Sequence, residues 1–183
     1  MRLLEQSQER LARAGLDLGR VPLSVHLYRE HSAFAVGTGR EQPTWVKAVA
    51  RPGAIHLWSP WSWPEPVDEE AIVGILAHEW IHVWLIGEGR ALDPCFEEGI
   101  ASLLSGQQRQ RASRSELRAF LKMNPTLDPF DTRAVSPETY YTACQHWAAS
   151  VLGTEGLRRL DSVGRDEMGA SAKEAWLKAE RAD

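Results

Sequence analysis

The sequence predicts an α+β fold, and three observations predict it. Segments with alternating apolar residues all fall before residue 60. Helical spacing with recognisable starts and stops fills most of the chain beyond that point. No internal repeat and no long linker divides the 183 residues. The expectation is therefore one domain, residues 1–183, with a small N-terminal β-sheet followed by a helical C-terminal half. A chain of this length can bury a sizeable core.

The elements follow in order. Residues 3–14 carry Leu3, Leu4, Leu11 and Ala14 among charges and read as an amphipathic helix stopped at Gly15. Residues 21–28 alternate, with Val21, Leu23, Val25 and Leu27 on one face, which is strand spacing; His26 then faces away as an ordinary surface residue. Residues 32–36 suggest a helical turn near Phe34, and 37–43 a loop. Residues 44–50 and 54–58 read as strands joined at Pro52-Gly53, a hairpin, with His56 on the strand surface. A helix starts at Asp68, with Glu69 and Glu70 in its first turn, and stops at Gly87 or Gly89. It is apolar nearly all round and so belongs at the centre of its domain. A further helix runs to about Leu104, and another starts near Ser113 or Ser115. Arg109, Arg111, Arg114 and Arg118 around that start read as a solvated stretch. Pro125 and Pro129 mark a loop over residues 124–131. Ser136-Pro137 starts a helix that runs to Leu152 and stops at Gly153; shorter helices are expected over 155–161 and 166–180.

Composition removes several function classes. The net charge of −4 argues against nucleic acid or an anionic membrane as a partner. No basic-plus-apolar leader opens the chain, and no run looks long and apolar enough to cross a bilayer, since the longest carries His, Glu and His. Two cysteines, Cys95 and Cys144, make no disulfide framework, so the cytoplasm is the expected compartment. Eight tryptophans is a high count. Trp80 and Trp84 fall on the central helix and read as core. Trp58, Trp61 and Trp63 fall in or beside a loop, where core bulk and a cleft wall both remain open.

The chemistry is concentrated in His78-Glu79-Trp80-Ile81-His82. Histidines four apart on a helix project from one face, one turn above the other, and two imidazoles so placed can grip one metal ion. Glu79 is then positioned to act on water as a general base. The competing reading is two core histidines bonded to backbone and a solvated glutamate. Burying a carboxylate and two imidazoles in so apolar a helix is costly unless something satisfies them, and Zn²⁺ would. A structural zinc site is disfavoured, because it would need more cysteines.

Downstream stands Phe96-Glu97-Glu98-Gly99-Ile100-Ala101. It resembles the aromatic-x-Glu-Gly-x-Ala element of the gluzincin (peptidase-MA-like) zinc metallopeptidases, which include thermolysin and the zinc aminopeptidases. The resemblance implies that Glu98, directly before the glycine, is the third metal ligand with His78 and His82; Glu97 competes for the role. It implies a zincin-like fold, a thermolysin-like minimal catalytic domain. It also implies hydrolysis of peptide bonds, with Glu79 as the base and peptide or protein as the substrate. In that family a strand edge beside the active-site helix binds extended substrate, which points to one of the two hairpin strands. A tyrosine from a later helix often stabilises the oxyanion; here Tyr141 is the first choice, Tyr140 the second and His146 the third. Where thermolysin has an aspartate one turn after the glutamate ligand, this chain has Ser102. The Gly-x-Met-Glu-Asn type of amine anchor is absent, which favours an endopeptidase over an aminopeptidase. A zinc-bearing module that binds peptide with little or no hydrolysis is the alternative. The metzincin pattern fails, because Leu85 and Glu88 stand where it needs glycine and histidine.

Overall fold

The computed structural model describes residues 2–16, 18, 22–90, 92–107, 113–124, 127–153 and 170–182. Among them are seven α-helices, a short 3-10 turn and one three-stranded sheet, an α+β composition. The chain divides into two compact units, residues 1–91 and 92–183.

The first unit holds the sheet. Its strands are β1 (Ser24–Tyr28), β2 (Ala48–Arg51) and β3 (Ala54–Trp58), in the order β1-β3-β2. β2 and β3 form the expected antiparallel hairpin, in which Arg51 pairs with Ala54 across Pro52-Gly53. Proline fixes φ at the first corner, and Gly53 takes φ 68° at the second, the pattern of a type II turn. β1 pairs with β3 in parallel, His26 opposite His56. β3 is therefore central. Ala54, Ile55, Leu57 and Trp58 along it are all buried.

Several strand expectations need correction. The strand expected over 21–28 begins at Ser24, leaving Pro22 and Leu23 outside it, and Leu27 is 55% exposed instead of facing inward. Among the described residues β1 is an outer strand, paired on one side alone. Leu27 borders a shallow cavity of about 390 Å³ with Arg29, Ser59, Trp61 and Ser62. Residues 44–47 do not join β2. The Val46 N–H turns back to the Pro43 carbonyl, and Trp45 stays exposed.

Helix α1 (Arg2–Arg13) ends as expected near Gly15, which takes φ 93°. The turn near Phe34 is a full helix, α2 (His31–Thr38), closed by Gly39 at φ 75°, whose N–H caps the Ala35 and Val36 carbonyls. Gly37 reads as loop in the sequence but lies within this helix, where a Cβ would overlap the Tyr28 ring.

Helix α3 (Glu69–Gly87) is the centre of the first unit. The Asp68 carboxylate accepts from the Ala71 N–H at 2.7 Å, which satisfies one of the N–H groups left open at a helix start. Glu69 and Glu70 pair with Arg2 and Arg10 of α1. Buried on α3 are Ile72, Val73, Leu76, Ala77, Trp80, Ile81, Val83 and Leu85, and the helix packs on α1, β2 and β3. By length and composition α3 is, after all, sufficient to cross a membrane. Nineteen residues rise about 28 Å, close to a bilayer's hydrocarbon core. Most of its surface is buried, as in a core helix.

The second unit is helical: α4 (Pro94–Leu104), α5 (Arg114–Met123), α6 (Pro137–Leu152) and α7 (Ala170–Ala182). Asp93, Ser113 and Ser136 cap the first three, and Ser113 forms a capping box with Glu116. α4 and α6 make the main helix contact of this unit. Trp147 of α6, fully buried, meets Phe96 edge-on at 5.2 Å and Phe130 at 5.9 Å. Gly99 lets the two helices approach, since a Cβ there would strike the Cys144 carbonyl. The helix expected over 155–161 lies outside the described residues, as do Arg109 and Arg111.

Candidate metal centre

Helical spacing places His78 and His82 on one face of α3, one turn apart. Their Nε2 atoms stand 3.2 Å apart, with ring centroids at 4.9 Å and planes at 64°. Two nitrogens each about 2.0–2.1 Å from one tetrahedral ion would be separated by about 3.3 Å. The two imidazoles thus already have the spacing of a chelating pair. A direct N–H···N hydrogen bond would give a similar distance, but it needs one ring to donate and the other to accept. Chelation needs both facing nitrogens as acceptors. His78 is 6% exposed, while Glu79 and His82 are half-buried.

Glu97 and Glu98 lie in the first turns of α4, the helix started by Asp93 and Pro94. Both are half-buried, so burial alone does not separate them. Their surroundings do. The Glu98 charge adds to the upward pKa shifts of Tyr140 and Cys144 on α6, whereas Glu97 contributes to neither. Burial is the first cause of both shifts. Glu98 is thus the one of the pair whose carboxylate is felt by α6.

Tyr140 and Tyr141 follow the cap of α6, ring centroids 5.4 Å apart. Tyr140 is hydrogen-bonded to Cys95 of α4. Tyr141, the first-choice donor, is half-buried, as is Tyr140. Ser102, one turn beyond Glu98, is buried. His146 is half-buried on α6.

Of the tryptophans, Trp58, Trp63 and Trp80 are buried and Trp84 is half-buried; Trp61 is 81% exposed. The Trp63 indole N–H bonds the Trp58 carbonyl at 3.0 Å, which gives these two a structural use. His56 accepts from or donates to the Tyr28 hydroxyl at 2.7 Å and stacks on His26 at 4.8 Å.

A thiol cluster escapes the sequence reading. Cys95 and Cys144 are both buried, Cys144 is the first cause of a lowered Cys95 pKa, and Lys173 of α7 brings Nζ to 4.0 Å from Cys95 Sγ. Lys173 also bonds Asp93, the cap of α4, at 3.2 Å. The only local signal is Cys95 four residues before Gly99, on the α4 face that meets α6. The partners come from distant positions, so spacing could not reveal them.

Comparisons with protein-family models, with curated proteins and with solved structures found no match.

Proposed function

We propose that this protein is a zinc-dependent peptidase of gluzincin type, with a zincin-like fold, acting as an endopeptidase on peptide or protein substrates. The observation that carries the reading is the 3.2 Å separation of the His78 and His82 Nε2 atoms within a His-Glu-x-x-His helix. In this reading His78, His82 and Glu98 hold one divalent ion. Two imidazoles and one carboxylate are a familiar donor set for catalytic zinc, with a position left for water or substrate.

When bound, zinc supplies Lewis acidity, which polarises a carbonyl oxygen and makes water a better acid. Glu79 takes the proton from attacking water and passes it to the leaving amine, so no covalent acyl-enzyme forms. Tyr141 donates its hydroxyl hydrogen to the oxyanion. β2 is an outer strand of the sheet and packs beside α3, while β3 is paired on both sides. Of the two hairpin strands, β2 is therefore the one with a backbone edge to offer an extended substrate.

The test is metal analysis combined with hydrolysis of a mixed peptide library. Native protein should copurify with or take up one zinc and cleave peptides. Glu79→Gln should keep the metal and lose hydrolysis by about 10²-fold or more. Full activity in that variant would refute the assigned base. Zinc uptake and peptide binding without any hydrolysis by the native protein would make it a peptide-binding module instead.

A further inference from the structure

We infer that Cys95 and Cys144 form a redox-active dithiol, a modification site that hydrogen peroxide closes to a disulfide tying α4 to α6. Both cysteines are free and buried, and they belong to the two helices in closest contact in the second unit. The Gly99 backbone lies against the Cys144 carbonyl, and Cys95 is one helical turn before Gly99 on the same face. Both side chains therefore belong to the α4–α6 contact, and Cys144 is the first influence that holds the Cys95 pKa below the usual thiol value. Closing the bond therefore needs a small approach of two side chains, not a helix rearrangement.

The two sulfurs are not equivalent. Cys144 is fully buried, while Cys95 is 6% exposed and has the Lys173 ammonium 4.0 Å away. A neighbouring cation favours thiolate at Cys95, and Lys173 is itself partly exposed, which marks the side from which a small oxidant arrives. Cys95 is thus the attacking thiol and Cys144 the resolving one. The Cys95 sulfur attacks one peroxide oxygen, the O–O bond breaks, and water leaves, giving a sulfenic acid. The Cys144 sulfur then attacks that sulfur, the S–O bond breaks, and a second water carries off the Cys144 proton. Two thiols are oxidised and one peroxide is reduced to two waters. The whole pair belongs to the second unit, and its chemistry does not require a bound metal.

The experiment treats the fully reduced, full-length protein with hydrogen peroxide, with and without chelator. Free thiols are counted in denaturant and the intact mass is recorded. Both thiols should disappear together, with a mass lower by two hydrogen atoms, no crosslinked dimer, and full reversal by dithiothreitol. Cys144→Ala should instead stop at a Cys95 sulfenic acid that a 1,3-diketone traps. Lys173→Met should slow thiol loss several-fold while leaving the product unchanged. Retention of both thiols, stable oxygen addition at one cysteine of the native protein, or linkage between molecules would overturn the assignment.

Discussion

Glu98 and Glu97 are chemically identical neighbours, and only their surroundings tell them apart. Because the Glu98 charge reaches Tyr140 and Cys144, Glu98→Ala should weaken zinc binding by at least about tenfold more than Glu97→Ala, measured by competition with a chromogenic chelator; loss of one ligand of three typically exceeds the effect of an outer group. The opposite order would reassign the ligand. His56 supports a second residue-scale expectation. Burial first, then the neighbouring His26 and Arg51, hold its pKa below the usual 6.5. The folded state therefore resists protonation that the unfolded chain accepts. Stability from this group is complete above about pH 6.5 and declines as pH falls from there towards the lowered folded value. Melting temperature should drop across that window in the native protein and drop less in His56→Phe. The pairing of His78 with His82 was legible from sequence because it is local, set by spacing along one helix. The dithiol was not, because it depends on which helices meet.

At the level of elements, caps and turns were the most readable features. Asp68, Ser136, Gly15 and Gly53 act where the sequence places them, and of Ser113 and Ser115, which the sequence left open, it is Ser113 that caps, since each answers a backbone requirement within a few residues. Asp68→Ala should therefore cost about 1 kcal/mol of stability in a denaturant titration. Less readable were β1 and β2, which are shorter than their alternation suggested. Leu27 is exposed because β1 is an outer strand, and sheet order is not written in a period of two. Gly99 gives a sharper test. It has ordinary helical φ, so on propensity alone alanine would stabilise α4 by about 1 kcal/mol. The Cys144 carbonyl occupies the space a methyl would need. Overpacking against backbone should win, and Gly99→Ala should destabilise the protein by about 1–3 kcal/mol. The glycine of the Glu-Gly-x-Ala element thus has a packing reason as well as a family resemblance.

For the molecule as a whole, an ion bound to the native state and not to the unfolded chain stabilises it by mass action. At a free zinc concentration about 100 times Kd this amounts to about 2.7 kcal/mol, or roughly 5–10 °C in melting temperature for a chain of this size. Chelation should remove that increment and added zinc should restore it; an unchanged melting curve would speak against a metal. The α+β composition was readable because strands and helices occupy separate stretches of the chain. The division into two compact units was not, because no linker announces it. The sheet, finally, is assembled from pairings of very different reach. β2 and β3 meet across two residues, whereas β1 meets β3 across roughly thirty positions that include α2 and β2. The hairpin can zip on a microsecond scale, but the parallel partner must first find a distant stretch of backbone at greater entropic cost. A nascent chain would therefore carry β3 with one flank bare for a time, and that interval is when it is most exposed to mispairing with another copy.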